Sequence, residues 1–562
     1  MTKLPAKQEL AQAMEKATPE QGVELIAGLS GLDAFNLILE HPTPEAVVKL
    51  IPMESLYLMV HELGSQDAMI LLELASPEQV QGFIDLDCWD RDRLDLPKAR
   101  TWFLLLNELD DGAFISHIKE IDLALLVIFF REHLNLHRID NLDDELPEGA
   151  MYVATPDGRH LIEYICSVEQ SRIINALLMR IYRLDLDFFL YLLEALYWEG
   201  GADTEETAYN QRMWRLELLG FPDYYNSLEI LAVVDVDRFA PPRKVAPAPR
   251  AKQPGAKVAG SQYLVKFEHP VSMLRQVLAE EFNGRDQILM EIMTVANMAM
   301  MAARVSFVDI EKVRHMVRRT DGYLNIGLQR LAGTNLAAAR EVLLTYRMTD
   351  LHKIGRSLVV REARRAKALL PGLAVDGRSP EQLMLDGPER DLVFGLVQSE
   401  PVRHQAGKDE PWTELDEVKR AAATINALER LMKLLEENFQ ITPQKIGDLY
   451  LQRTNYANAA ELTFRVLTNT FRAHDLLGHP PQLTPLTEEE VRELTAKMGM
   501  KKKKMVWPQD KLSEFNEWLG TLAGKEAKPL IEIFSRYINA LVTELTHRNL
   551  EHKLRSELLV SV

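Results

Sequence analysis

The chain has 562 residues, a 47% hydrophobic fraction, a net charge of −18 and two cysteines. That length implies two to four domains, each with enough apolar residues for a core. Cys88 and Cys166 exclude a disulfide framework and a four-cysteine zinc site, and with a start that lacks an apolar leader run they point to the cytoplasm.

The opening eighty residues announce helices. Thr18-Pro19-Glu20, Thr43-Pro44-Glu45 and Ser76-Pro77-Glu78 each precede apolar residues at helical spacing. The hydroxyl can accept from an amide of the first turn, proline tolerates the first helical position, and the glutamate suits the positive end of the helix dipole. Helices are expected over about 19–29, 32–39, 44–50, 53–63, 66–75 and 77–84. Helices this short bury too little singly, so stacking must supply the core. An irregular helical-repeat array is therefore expected over residues 1–148.

The run Leu50-Ile51-Pro52-Met53-Glu54-Ser55-Leu56-Tyr57-Leu58-Met59-Val60-His61-Glu62-Leu63, continuing to Ala75-Ser76-Pro77-Glu78-Gln79-Val80, resembles the helical-repeat N-domain of bacterial magnesium transporters. Flagellar motor-switch proteins use a similar superhelix. The whole chain also resembles an uncharacterised bacterial family built on a domain of unknown function. The transporter likeness covers about a fifth of the chain and implies a repeat fold. The transporter's paired nucleotide-type domains and membrane helices have no counterpart here, so transport does not carry over.

Between 121 and 130 lies the most apolar run, yet it includes Asp122 and is half the roughly 20 residues a membrane helix requires. No membrane span is expected. Residues 149–240 read as a helical subdomain with a short hairpin, because Pro156-Asp157-Gly158 sits between β-branched and aromatic residues. Residues 241–262 hold five prolines, five cations and no acid, a composition that cannot bury a core and reads as a linker. Residues 263–562 carry long amphipathic segments, near 272–282, 286–303, 309–318, 336–351, 414–438, 457–477, 488–498 and 511–559. They read as a helical bundle of one or two subdomains. The fold class expected throughout is all-α.

Charge divides the chain. Residues 1–240 hold 43 acidic and 18 basic side chains, a net −25, whereas the remainder is slightly basic. Nucleic acid and anionic lipid are thereby disfavoured as partners of the first part, and nucleic acid stays open for 263–562.

Candidate chemistry is sparse. Asp85, Asp87, Asp90, Asp92 and Asp95 cluster within eleven residues, and hard oxygens suit magnesium or calcium. A calcium loop would want Gly where Asp90 stands and Glu where Leu96 stands, so the cluster reads first as a capped loop with an acidic surface. His133, His137 and Asp140 would share one face of a helix, without the His-Glu-x-x-His order of a zinc protease. Arg361, Arg364 and Arg365 belong to a basic amphipathic stretch that can meet lipid, nucleic acid or an acidic partner. Lys501 to Lys504, with Trp507 beyond, could meet phosphates. Phosphate loops, Gly-x-Gly-x-x-Gly, Gly-x-Ser-x-Gly and Cys-x-x-Cys are absent, and Gly322 to Gly327 lacks the lysine a phosphate loop needs. The sequence reading is thus a non-enzymatic, cofactor-free protein-interaction scaffold. Its contact residues would be Asp85, Asp87, Asp90 and Asp92 on one part and Arg361, Arg364 and Arg365 on the other. A cation-responsive regulator and a nucleic-acid-binding C-terminal part are the alternatives.

Overall fold

The computed structural model describes residues 7–26, 29–63, 65–139, 151–198, 202–218, 220–243, 272–305, 309–373, 384–439, 462–480, 482–501, 504–524, 527–543, 554 and 557–561. They form two compact units, one from residues up to 231 and 280–320, the other from 232–242, 271–279 and 321–562. The units do not divide at 241–262. Most of that linker lies outside the described residues, and residues 280–320 group with the first unit, where Arg285–Ala303 packs on Tyr224–Ser227 and Leu228–Leu231. Both units are helical with a few short strands, so the class is all-α.

The first unit opens with α1 (Lys7–Met14), α2 (Pro19–Ile26), α3 (Gly31–Leu39), α4 (Pro44–Leu50), α5 (Met53–Glu62), α6 (Ser65–Leu74) and α7 (Pro77–Asp87). α2 packs on α4 and α4 on α6, while α3 packs on α5 and α5 on α7. Each helix thus meets its next-but-one neighbour, which is how short helices share a core. Two of the three Pro-Glu starts share one reciprocal cap and the third lacks it. Ser76 forms a reciprocal box with Gln79, and Thr18 exchanges bonds with Gln21, at 3.0 and 3.4 Å. Thr43 makes no side-chain cap; its amide instead donates to His41 Nδ1 at 3.0 Å.

A two-residue hairpin, β1 (Trp89–Asp90) with β2 (Arg93–Leu94), then leads into α8 (Leu96–Asn107), α9 (Asp111–Glu120) and α10 (Leu123–Arg131). Tyr57, Phe83 and Trp102 from α5, α7 and α8 meet with ring centroids 5.7–6.3 Å apart. Full burial of side chains this size contributes about 1.5–3 kcal/mol each. The expected hairpin is present and larger than anticipated. β3 (Leu134–Arg138), β4 (Met151–Ala154) and β5 (His160–Tyr164) make an antiparallel sheet in the order β3-β5-β4. α11 (Val168–Leu184), α12 (Leu186–Trp198), α13 (Ala202–Leu218) and the short α14 (Tyr224–Ser227) follow, and Arg285–Ala303 with the opening turns of Ile310–Ala332 complete the unit.

The second unit is built on longer helices, among them the rest of Ile310–Ala332, Met348–Leu373 (26 residues), Leu415–Phe439, Phe464–Leu477 and Ala527–Thr543. The expected single helix over 336–351 is broken between Thr345 and Met348, where Tyr346 turns extended at ψ 149°. Two helices here approach backbone to backbone. A Cβ on Gly327 would collide with the carbonyl of Leu351, and one on Gly355 with the carbonyl of Tyr323. Gly322 faces Trp412 in the same way. These glycines are therefore contact points where any side chain would collide with neighbouring backbone.

Candidate functional site

The aspartate cluster folds around the end of α7 and the β1–β2 hairpin. Asp85 is not a surface residue. It is fully buried, with Arg215 of α13 bonded through Nε at 2.7 Å and Nη2 at 3.0 Å and Gln81 at 2.8 Å. Burial pushes its carboxyl up, against the bonds from Arg215. Arg215 also grips Asp122 at 2.9 and 2.5 Å, so one guanidinium neutralises two carboxylates. Asp85 therefore leaves the set of contact residues. Asp87 accepts from Trp102 Nε1 at 2.9 Å and from Lys98 at 3.2 Å, and Asp95 caps α8 through the Lys98 amide. Asp90 and Asp92 alone of the four contact candidates are exposed.

Beside the hairpin lies a cavity of about 290 Å³. Asp87, Asp90 and Asp95 line it together with Arg91, Lys98, Arg212 and Arg304. Four cations against three carboxylates make it a poor pocket for a hard cation. Arg212 is buried, bonds the carbonyls of Asp85 (2.7 Å) and Arg91 (3.3 Å), and lies over Trp89. Burial lowers its guanidinium to about 10. Arg91 and Arg304 hold left-handed backbone at φ 61° and 51°, a conformation other than glycine's only at cost.

A second surface of the first unit is aromatic. Tyr191 and Trp198 lie two turns apart on α12, 60% and 68% exposed. Trp198 Nε1 donates to Glu194 at 2.9 Å, and Glu194 in turn pairs with Arg138 of β3 at 3.0 Å. The Arg138 guanidinium lies 4.9 Å from the Tyr197 ring and 5.6 Å from the Trp198 ring. The indole is therefore held in place, with Arg138 over one side and most of the side chain still exposed.

The family of unknown function DUF6178 matches residues 11–558. The chain belongs to that family. No curated protein and no solved structure matches. Within this DUF6178 chain, the likeness of the first repeats to transporter N-domains rests on sequence pattern alone.

The basic stretch of the DUF6178 chain is largely committed to its own unit. Arg361 pairs with Glu362 at 3.1 Å and Asp237 at 3.4 Å. Arg365 pairs with Glu362 at 2.9 Å and Glu429 at 2.8 Å. Arg364 is exposed. Trp507 is buried in the core and gives no stacking platform beside the lysines. The histidine triplet does not share a helix. His133 is buried and bonded to the Phe129 carbonyl, His137 sits on β3 bonded to Glu163 at 2.8 Å, and Asp140 lies outside the described residues. Strand pairing with β5 overrides the helical spacing there. Sequence reasoning also missed the Arg138–Glu194–Trp198 group and the convergence of His474, His479 and Glu490. Its one signal was a histidine on each side of Gly478, which ends a helix and turns the chain back.

Proposed function

We propose that this protein is a non-enzymatic interaction scaffold whose acidic first unit docks a basic protein segment on the Tyr191–Trp198 face. The pre-positioned indole carries the reading. Trp, Tyr and Arg dominate the residues whose loss most weakens interfaces, and an anchor already fixed by hydrogen bonds loses little entropy on binding. The net −25 of residues 1–240 favours a partner of opposite charge. Asp90 and Asp92 would contribute long-range attraction, with Arg364 left as the exposed member of the basic set.

The test is affinity capture with the full chain and with the Tyr191→Ala/Trp198→Ala double variant as parallel baits. A basic partner retained by the native chain and weakened about 30-fold or more by the variant, a loss of 2 kcal/mol or more, supports the reading. Equal retention by both baits removes the aromatic face from it. Nothing enriched by the native chain removes the scaffold itself.

A further inference from the structure

His474 stands in the last turn of Phe464–Leu477, and Gly478, in left-handed backbone at φ 82°, ends that helix. The turn folds His479 back, its amide bonded to the His474 carbonyl at 2.9 Å. Glu490 comes from the third position of the helix Glu488–Lys497, where its Oε2 accepts from the Thr487 amide at 2.7 Å. Oε1 is left facing His479. Below these groups Ala473, Leu477, Leu486, Val491 and Leu494 form a packed core, so both helices that present the ligands are anchored.

The donor atoms converge. His474 Nδ1 and His479 Nδ1 are 3.3 Å apart, and His479 Nδ1 and Glu490 Oε1 are 3.4 Å apart. All three ligand atoms lie within 4.8 Å of one another. Two donors on a tetrahedral zinc ion, each bound at about 2.0–2.1 Å, stand about 3.3 Å apart. The far side of His474 completes the pattern. Its Nε2 lies 2.8 Å from the Thr484 carbonyl, which can only accept, so that nitrogen carries the proton and Nδ1 keeps its lone pair. A backbone carbonyl behind an imidazole is the usual outer support of a metal-bound histidine.

We infer that His474 Nδ1, His479 Nδ1 and Glu490 Oε1 form a zinc-type transition-metal site that ties the end of Phe464–Leu477 to the start of Glu488–Lys497. Two imidazoles and one carboxylate suit zinc and its first-row neighbours, whereas calcium and magnesium prefer all-oxygen shells. Three protein ligands leave a position for water or an outside ligand, and the Gln482 amide, which donates to His474 Nδ1 at 3.4 Å, turns aside when the metal takes that lone pair. A proton on His479 Nδ1 would instead make ordinary hydrogen bonds among the same atoms, and such an arrangement takes up no metal.

The experiment uses the full chain stripped with a chelator, titrated with zinc in a calorimeter and followed by thermal melting. The expected result is one saturable zinc per chain and a higher Tm by ligand linkage. Magnesium or calcium at the same concentration should leave Tm flat. His479→Ala should weaken zinc more than the about 10–100-fold that outer partners cost. Glu490→Gln, which keeps an acceptor for Thr487, should weaken it as well, and both variants should melt like the stripped native chain without zinc. Failure of the native chain to bind one zinc, equal binding by His479→Ala, or an equal rise with calcium would each overturn the site.

Discussion

The array at the start of the first unit and the bundle of the second solve the same problem by different means. The array uses short helices whose starts are marked by local chemistry, such as the Ser76–Gln79 box. It is then tied together over long sequence separations. Arg215 on α13 reaches back to Asp85 on α7, 130 residues away, and to Asp122 beside α10. The bundle uses helices of up to 26 residues, and its closest contacts are made by what is missing, the side chains of Gly322, Gly327 and Gly355. The first unit adds a buried charge cluster to stacked repeats, whereas the second adds close backbone approach to buried pairs of its own, such as Glu362 with Arg365.

The largest effect should come from the charge cluster. Arg215→Met leaves Asp85 buried without its cation, and breaking a buried pair in this way costs about 3–5 kcal/mol. Denaturant unfolding should show that loss in the first unit, and adding Asp85→Leu should recover part of it. Full stability in the single variant would mean that the cluster contributes little.

Glycine contacts should be nearly as sensitive. Gly327→Ala or Gly355→Ala must push a backbone carbonyl, which cannot rotate away as a side chain can. Overpacking of that kind costs about 1–3 kcal/mol or more. The same change at Gly333, where nothing lies within 4 Å of an added Cβ, tests the backbone alone, since its φ is 66°. A melting series in which Gly333→Ala is as harmful as Gly355→Ala would remove close approach as the cause.

The smallest effect separates the units by pH. Burial lowers the imidazoles of His61 and His117, both in the first unit, from their ordinary value near 6.5. The folded chain then binds fewer protons than the unfolded one at acid pH. Stability from this source is complete above about pH 6.5 and is lost as pH falls below it. His117→Gln, which can still donate to the Leu72 carbonyl that Nε2 meets at 2.9 Å, should flatten the fall in Tm between pH 7 and pH 5. An unchanged slope would place the acid sensitivity elsewhere.

Much of the architecture was legible. The helix starts at Pro19, Pro44, Met53 and Pro77, the Thr487 cap and the Pro156–Gly158 turn are all where local chemistry put them. Less of the site could be read. Asp85 and Asp92 are seven residues apart in one acidic run, yet one is buried and the other exposed. Asp85 sits on the inner face of α7 against Gln81 and Arg215, whereas Asp92 sits in the β1–β2 turn. His137 looked helical from its spacing to His133 and became a strand residue because β5 offered a partner.

By itself the sequence determined the all-α class, the repeat of short capped helices and the acidic character of the first part, because these depend on neighbours within a turn or on charge totals. Tertiary structure decided which carboxylates are paired, which glycines are contacts, where an indole stays exposed, and that His474, His479 and Glu490 meet. Those outcomes depend on segments distant in sequence being brought within a few ångströms, and no local pattern encodes that distance.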